Sequence, residues 1–395
     1  MTCRRGGSVE VQDTHVHIAM IGTRGVPARY GGFETCIEEV GSRLADRGHR
    51  VTVYSRATGE EPQPEHYRGM DVVTLPAVKR RSLETLSHTT ASVAHLLMRR
   101  RPDAAVVFNA ANAPLLPVLR ASGVPVATHV DGLEWRRAKW GARGQQYYRQ
   151  AEAMAVRWSD AIVADAVGIA DYYQQRFGVS SELIAYGAPS VTAEPGGVAP
   201  LDLSPRGYHL VVARFEPENH VREIVAGYTR SSARLPLVVV GGAPYSDEYT
   251  REVQDSGDGR VRFLGGVWDQ HLLDQLYANA FAYWHGHSVG GTNPSLLRAI
   301  GAGAPTNAFD VTFNREVIDD AGRWWSSPDD VAALAQECEA DPTGTARRGE
   351  RAREHSRRYD WDDVAAKYLT MCEDLAGGRL RRMTRVPRPA AKVEA

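Results

Sequence analysis

The sequence predicts an α/β protein that is built from two Rossmann-like domains. Strand-like apolar runs alternate with amphipathic helical segments along most of the 395 residues, which is typical of parallel α/β architecture. The chain is also longer than a usual single domain. A stretch rich in Pro, Gly and Ser at residues 190–207 divides the alternation into two series. These observations indicate two doubly wound domains joined by a linker.

The first series predicts a domain over residues 1–190. It opens with the strand-like run HVHIAMIG and a glycine-rich turn. The helix that follows has its apolar residues on one face, namely Phe33, Ile37, Val40 and Leu44. Further strands are predicted at RVTVYS, AAVVFNA, VPVATHV and AIVADA. Turn residues and helical stretches separate them, so we expect a parallel sheet with crossover helices.

The second series predicts a domain over residues 191–355. Its strand-like runs are YHLVVA, LPLVVVGG, RVRFLGG and AFAYWHG. Helical patterns separate them, for example near residues 219–230 and 269–280. A second parallel sheet follows from this alternation.

The last part of the chain predicts one helix and a tail. Residues 356–375 contain Trp361, Val364, Tyr368 and Met371 at helical spacing. Residues 376–395 are basic, contain Pro and carry few apolar side chains, so we expect a disordered tail.

Composition argues against a membrane-spanning or secreted protein. Hydrophobic residues make up 43% of the chain, and no run of about 18 apolar residues occurs. The first residues include arginines but no apolar stretch before a small-residue cleavage site. Cys3, Cys36, Cys338 and Cys372 are scattered, and we expect buried or idle thiols in a reduced compartment. The sequence therefore predicts a cytoplasmic protein.

Charge argues against general nucleic-acid binding. Residues 1–190 carry 23 Lys and Arg against 19 Asp and Glu, and the remainder carries 24 against 29. Nucleic-acid-binding proteins usually show a strongly basic face instead. Basic clusters at residues 79–81 and 99–101 bracket a predicted apolar helix, which is compatible with peripheral contact at the inner face of a membrane. A solvated helix face explains the same clusters.

The first candidate site is the glycine-rich segment GTRGVPARYGGFE at residues 22–34. Ligands of open α/β sheets bind outside the carboxyl ends of the strands, where this segment is predicted to lie. Its glycines allow close backbone approach, and the start of the helix offers free N–H groups to a phosphate. The spacing matches neither the dinucleotide fingerprint nor a Walker A loop, so a structural turn stays an alternative.

The second candidate site is THVDGLEWRRAKWG at residues 128–141. His129, Asp131 and Glu134 cluster there after a predicted strand. Histidine and carboxylates are the usual general bases, so the cluster could orient an acceptor hydroxyl or remove its proton. Alternatively, Asp131 belongs to a turn and Glu134 pairs with Arg137.

The third candidate site is ARFEPENH at residues 213–220. Arg214 is predicted at the end of the first strand of the second domain. A guanidinium there can bind a diphosphate with two hydrogen bonds and stabilise the leaving group. A surface ion pair with Glu216 or Glu218 is the alternative.

The fourth candidate site is WHGHSVGGTNPSLLRAIGAGAP at residues 284–305. Asn293 is a favourable N-cap and Pro294 a favourable first helical residue, which predicts a second anion-binding helix start. His285 and His287 have the spacing of a metal-ligating pair, but no third ligand is evident. DWD at residues 360–362 resembles a metal-binding DxD motif, and its position at a helix start favours capping instead.

Taken together, these motifs resemble the family 4 glycosyltransferases, which have the two-domain fold called GT-B. GTRGVPARYGGFET, VDGLEWRRAKW, VVARFEPEN and HGHSVGGTNPSLL occur in the same order as in the bacterial rhamnosyltransferase branch, and the likeness covers most of residues 15–375. The resemblance implies two facing domains with the donor between them and a last helix that crosses back onto the N-terminal domain. It also implies retaining transfer from a nucleoside-diphosphate sugar without a metal or other cofactor.

The resemblance also implies roles for individual residues. The expected catalytic residues are His129, Asp131 and Arg214. The expected donor-binding residues are Gly22, Gly31, Gly32, Arg214, Asn219, Gly242, His287, Gly290, Gly291, Thr292, Asn293 and Arg298. The expected acceptor-binding residues are Arg24, Arg29, Tyr30, Glu134 and Trp135. The expected partners are therefore a nucleotide-sugar donor and a hydroxyl acceptor.

Three positions depart from the family pattern. Asn219 stands where many members have a lysine. Gly290 and Arg298 stand where the family has paired glutamates, the second of which binds ribose hydroxyls. An arginine cannot accept those hydrogen bonds. A deoxyribose donor loses less by this change, which favours a dTDP-sugar such as dTDP-L-rhamnose.

Alternative functions stay open at this stage. Arg298 could instead meet an anionic acceptor, such as a phosphorylated cyclitol in aminoglycoside assembly, with a dTDP-dihydrostreptose-type donor. The missing glutamates also allow a pseudo-glycosyltransferase that binds nucleotides without transfer. A sugar-nucleotide epimerase on the same fold is a third alternative.

Overall fold

The computed structural model describes most of the chain. The described residues are 15–28, 31–57, 64–78, 83–130, 132–137, 140–242 and 247–380, with only the backbone of Asp247. Three predicted site residues, Arg29, Tyr30 and Asp131, lie outside these ranges. The basic cluster at residues 79–81, Cys3 and most of the predicted tail also lie outside them.

The first sheet has eight strands in the order β3-β4-β2-β1-β5-β6-β7-β8. Its strands are β1 (His17–Ile21), β2 (Arg50–Arg56), β3 (His66–Tyr67), β4 (Met70–Leu75), β5 (Ala104–Phe108), β6 (Val126–His129), β7 (Ala161–Ala164) and β8 (Glu182–Leu183). Its helices are α1 (Gly32–Asp46), α2 (Glu84–Met98), α3 (Leu116–Ala121), α4 (Ala142–Trp158) and α5 (Val167–Phe177). Neighbouring strands are parallel except β3 and β4.

Strand β5 lies near the centre of this sheet, and its burial agrees with that position. All five residues of β5 are buried, as expected for a parallel strand that helices cover on both faces. On α1, Ile37, Val40 and Leu44 are buried and Phe33 is partly buried. The predicted apolar face of α1 is therefore confirmed.

The second sheet has six parallel strands in the order β11-β10-β9-β12-β13-β14. Its strands are β9 (His209–Val212), β10 (Leu237–Val240), β11 (Val261–Gly265), β12 (Ala282–His285), β13 (Thr306–Phe309) and β14 (Arg323–Trp325). The remaining helices are α6 (Val221–Arg230), α7 (Asp247–Asp255), α8 (Gln270–Ala278), α9 (Pro294–Gly301), α10 (Thr312–Ile318), α11 (Pro328–Ala340), α12 (Pro342–Ser356) and α13 (Trp361–Ala376). Two parallel sheets with helices confirm the predicted fold class.

Helix α13 returns to the first domain after the second domain is complete. It packs on α1, where Arg43 Nε donates to Asp362 Oδ1 over 2.7 Å. The carboxylate of Asp360 accepts from the backbone N–H of Asp362 at 2.7 Å and of Asp363 at 3.2 Å. Asp360 is therefore an N-cap, as expected for the DWD segment.

Helix α2 uses much of its apolar surface inside the protein. Val93 and Leu96 are buried in the core, whereas Leu83 and Met98 at its two ends are exposed. Within the described residues, no helix combines the length and apolar character that crossing a membrane requires. Cys36, Cys338 and Cys372 are buried free thiols.

Candidate functional site

The carboxyl ends of the two sheets meet across a narrow seam. Thr292, in the loop after β12, donates its hydroxyl hydrogen to the backbone oxygen of Asp165 at the end of β7, over 2.5 Å. Gly132, after β6, lies so close to Gly290 that a methyl group on it would come within 2.7 Å of the Gly290 Cα. The loop at residues 287–294, here called the glycine loop, is thus seated on the ends of β6 and β7.

The predicted glycine-rich turn brings the starts of two helices together. Gly22 has φ +103° after β1, and Gly31 has φ +109° before α1, so glycine suits both positions. A methyl group on Gly32 would lie 3.1 Å from Pro294 Cγ, the first residue of α9. The Asn293 carboxamide oxygen accepts from Ser295 N at 2.9 Å, which confirms the predicted N-cap. The starts of α1 and α9 thus converge, and both favour an anion.

A carboxylate already lies at one of these two helix starts. Glu34, in the first turn of α1, accepts a hydrogen bond from the backbone N–H of Arg24 over 3.0 Å. The side chain of Arg24 is exposed at the end of β1, where the sequence predicts acceptor binding. Its backbone oxygen accepts from the N–H of Arg56, the buried last residue of β2. Arg56, which sequence reasoning missed, pairs with Glu84 at 3.2 Å.

Arg214 follows β9 and is the accessible cation of the second domain's candidate site. Its side chain is 46% exposed, and its Nη1 lies 3.5 Å from Glu216 Oε1. That distance makes a loose ion pair, so the alternative foreseen from the sequence coexists with an accessible guanidinium. Asn219 Nδ2 donates to the Arg214 backbone oxygen at 2.8 Å, and Asn219 Oδ1 lies 2.9 Å from His287 Nδ1. Asn219 therefore ties Arg214 to the glycine loop.

Positively charged side chains from both domains lie near His287. Burial lowers the pKa of His287 well below its usual value, and the nearby guanidiniums of Arg137 and Arg214 lower it further, as do His285 and His220. The imidazole is therefore neutral near pH 7. Its backbone oxygen accepts from Asn314 Nδ2 at 2.9 Å, which fixes the start of the glycine loop.

The two histidines of the HxH pair are buried and engaged with neighbours. The Nδ1 of His285 lies 3.1 Å from the Tyr283 hydroxyl, and burial lowers its pKa to about 3. Among the described residues, the group that could approach a metal ion is Asp319, Asp320 and His355, with both aspartates exposed. That group includes neither His285 nor His287.

Glu134 and Trp135 are held by neighbouring side chains. Glu134 is 6% exposed, its Oε1 lies 2.5 Å from Arg137 Nε, and its Oε2 accepts from Trp140 Nε1 at 3.2 Å. The Trp135 ring lies under the guanidinium of Arg149, 4.4 Å from its centroid. The structure thus shows the ion pair foreseen as the alternative for Glu134. Contact with an acceptor would require this pair to rearrange.

Arg137 is a site residue that sequence reasoning named only as a partner of Glu134. It is 6% exposed, and it is close enough to His287 of the other domain to lower that imidazole's pKa. A buried cation that reaches across a seam is a candidate for anion binding. The run of two arginines after Trp135 was the available signal.

His129 lies at the end of β6 but is completely enclosed. Its side chain is 0% exposed, packs against Phe33, Phe108 and Tyr186, and burial lowers its pKa to about 3. A neutral, enclosed imidazole cannot touch a substrate in this conformation. In this conformation His129 supports the segment that follows β6, and its expected catalytic role stays a prediction that would require the imidazole to become accessible.

The side chain of Arg298 contacts helix α8 and is partly exposed. Its Nη1 and Nη2 each donate to Gln270 Oε1 over 3.0 Å, and its Nε lies 3.2 Å from Asp274 Oδ1. Gly242, after β10, has open space where a side chain would be, and Gly291 lies against Asp165. The roles of these residues toward a substrate stay predictions.

Two family models match the chain, one on each domain. The model described as a glycosyl transferase 4-like domain matches residues 31–187, and the model described as glycosyl transferases group 1 matches residues 206–340. Together they cover the strands of both sheets except β1.

Two curated relatives share part of the chain. The O-antigen chain mannosyltransferase B of Escherichia coli is 30% identical over 136 residues, which is 33% of this chain and 35% of the relative. The GtfA subunit of a UDP-N-acetylglucosamine–peptide N-acetylglucosaminyltransferase from Streptococcus gordonii is 28% identical over 120 residues, which is 29% of this chain and 23% of the relative. The matched part thus spans about a third and a quarter of these relatives.

Solved structures share the fold over nearly the whole length. Sucrose-phosphate synthase from Thermosynechococcus elongatus superimposes with a TM-score of 0.79 at 20% identity, over 92% of this chain and 100% of that one. The Anabaena protein HepE in complex with UDP-glucose gives 0.74 at 16% identity, over 90% and 100%. At such identities the likeness shows the fold alone.

Proposed function

The chain belongs to the glycosyltransferases of the GT-B fold, and we propose that it transfers a hexose or deoxyhexose from a nucleoside-diphosphate sugar to an acceptor hydroxyl. One observation carries the proposal. Asn219 links the backbone oxygen of Arg214, whose guanidinium is accessible, to His287 of the glycine loop, and that loop is seated on the first domain. A diphosphate bound there meets a cation and the start of α9 together.

In this proposal the transferred sugar retains its anomeric configuration, and the transfer requires no metal ion. Arg214 and the N–H groups at the start of α9 stabilise the charge that develops on the leaving phosphate. The departing phosphate oxygen accepts the proton of the acceptor hydroxyl on the same face of the sugar. No side-chain base is then required, which agrees with the enclosure of His129.

A dTDP-sugar, such as dTDP-L-rhamnose, is the donor that we propose. The guanidinium of Arg298 only donates hydrogen bonds, and it already holds Gln270 and Asp274. Neither Arg298 nor the Gln270 oxygen that it holds is then available to accept from a ribose 2′-hydroxyl. Deoxyribose has no such hydroxyl to leave unpaired.

A nucleotide panel tests the proposal. Thermal melting of the full chain is followed with dTDP, UDP and GDP, and then with their sugars, because a ligand of the folded state raises the melting temperature. We expect the largest rise with dTDP and dTDP-L-rhamnose. The HepE complex contains UDP-glucose, so a larger rise with UDP would replace the dTDP assignment. No rise with any of them would refute the donor site.

A further inference from the structure

Glu218 is a buried residue whose carboxylate has one oxygen without a hydrogen-bond partner among the described residues. The residue is 7% exposed, and its Oε1 is buried with no hydrogen-bond partner in the part of the chain that the structure describes. Nearly all buried polar groups are paired, and leaving one unpaired costs folding free energy. Such an exception calls for an explanation, and a bound ligand is one.

The backbone of Glu218 lies within the candidate donor site. Its carbonyl oxygen accepts both the N–H and the hydroxyl of Ser288, at 2.9 Å and 3.1 Å, and Ser288 belongs to the glycine loop. The next residue, Asn219, bridges Arg214 and His287. Glu218 is thus fixed between the diphosphate-binding arginine and the loop that closes the seam.

The glycine loop has no room for a carboxylate of its own. Gly290 has φ +149°, and a methyl group on it would come within 2.7 Å of His287 Nε2. A side chain at position 290 is therefore excluded in this backbone conformation. Glu218, whose backbone oxygen is bonded to Ser288 of the same loop, therefore brings a carboxylate-bearing residue to a loop that cannot carry one at position 290.

The chemistry of the carboxylate selects its partner. An ionised carboxylate only accepts hydrogen bonds. A diphosphate also only accepts and carries the same charge, so it is not the partner. Sugar hydroxyls donate. We propose that the Glu218 carboxylate accepts hydrogen bonds from hydroxyls of the transferred sugar, an assignment that rests on the proposed transfer from a nucleoside-diphosphate sugar.

Paired binding measurements test this assignment. Affinities of the full chain and of Glu218→Gln are measured by calorimetry for dTDP and UDP, and for dTDP-L-rhamnose and UDP-glucose. We expect the variant to bind the nucleotide sugar about tenfold more weakly, because a charge-assisted hydrogen bond becomes a neutral one. Affinity for the nucleoside diphosphate stays within about twofold. Glu182→Gln, on exposed strand β8, is the matched control and changes neither affinity.

The melting temperature of the ligand-free variant distinguishes sugar binding by Glu218 from a purely structural role. Since the unpaired carboxylate costs folding free energy, ligand-free Glu218→Gln should melt at the same temperature as the parent or higher. Unchanged affinity for the nucleotide sugar would overturn the assignment. An equal loss for dTDP or UDP would move Glu218 to the nucleotide and overturn it too. If the parent protein binds no nucleotide sugar, the proposed function itself fails.

Discussion

The hydroxyl of Tyr368 lies 2.6 Å from Nδ1 of His129, and 239 residues separate the two along the chain. Tyr368 belongs to α13, which follows the second domain, and His129 ends β6 of the first domain. The thiol of Cys36 on α1 donates to the same hydroxyl at 3.7 Å. The last helix therefore supports the strand end from which the segment with Glu134 and Arg137 begins.

Tyr368→Phe keeps the ring packing and removes this hydroxyl. The buried Nδ1 of His129 then loses its partner, so the free energy of unfolding should fall by about 1–3 kcal/mol. Urea denaturation measures the change. Thr370→Ala, an exposed residue on the same helix, should alter stability by less than about 0.5 kcal/mol. Equal effects of the two substitutions would contradict the importance of the contact.

Arg214→Ala should abolish most nucleoside-diphosphate binding without unfolding the protein. The side chain is 46% exposed, so its removal leaves no cavity, whereas a diphosphate loses a charge-assisted contact. We expect at least about a tenfold loss of affinity by calorimetry. Arg222→Ala, an equally exposed arginine on α6, serves as the control. A similar loss in both variants would indicate only a general effect of charge.

Gly291→Ala should hold the seam open. A methyl group there would lie 2.0 Å from Asp165 Oδ1 and 2.6 Å from Ile169. Because both side chains are buried, we expect the glycine loop to move away from the first domain. We expect a transfer rate at least about tenfold lower, because misplacing a reacting group by about 1 Å can cost about a hundredfold. Gly168→Ala, on α5 beside the seam, meets open space and should leave the rate unchanged. Normal transfer by Gly291→Ala would show that the contact is dispensable.

Glu152→Gln should change how stability depends on pH. Burial raises the pKa of Glu152 to about 7, although its hydrogen bond with Tyr172 and the charges of Arg176 and Arg149 oppose the rise. A folded-state pKa above the unfolded value favours the protonated form, so the native carboxyl loses stability as the pH rises from about 4.5 to 7.

The variant does not titrate, so its stability relative to the parent should rise across that window by about 1–3 kcal/mol and then stay constant. Urea denaturation at a series of pH values measures the difference between the two proteins. A difference that does not vary with pH would show that Glu152 is ionised at its usual pKa.

Substitutions of Asp360 distinguish helix capping from metal binding by the DWD segment. Asp360→Ala should lower the free energy of unfolding by about 1 kcal/mol, whereas Asp360→Asn should retain the cap. Both variants should transfer sugar at the parent rate, with or without a chelator. If the Asn variant lost activity and the parent lost it with chelator, DWD would be a metal site.

The spacing of apolar residues predicts much of the fold, because the faces that it marks as apolar are buried in the core. The apolar stripes of α1 and α13 are buried as their spacing requires, and most strands occur where apolar runs predict them. Strands β3, β4, β8, β13 and β14 were missed. β3 has only His66 and Tyr67, and β14 is the three-residue edge strand Arg323–Trp325, so neither offers enough residues for a pattern.

The candidate site is less predictable because its contacts join residues far apart in sequence. The strand-end rule locates Arg214 and the glycine loop, but it does not show that Tyr368 encloses His129 or that Gln270 and Asp274 hold Arg298. Glu218 was considered only as an ion-pair partner of Arg214. Its burial and its unpaired oxygen are properties of the folded chain.

The glycines at the seam have an energetic consequence. Gly132, Gly290 and Gly291 bring backbone close to backbone or to Asp165, and such contacts remove little apolar side-chain surface from water. Hydrophobic stabilisation scales with buried apolar area, so this part of the closed arrangement gains little from it. In the proposed function, a donor that bridges Arg214 and the starts of α1 and α9 would add polar contacts to this part of the seam. Release of the nucleotide would remove them, so the seam should be held more weakly without a donor than with one.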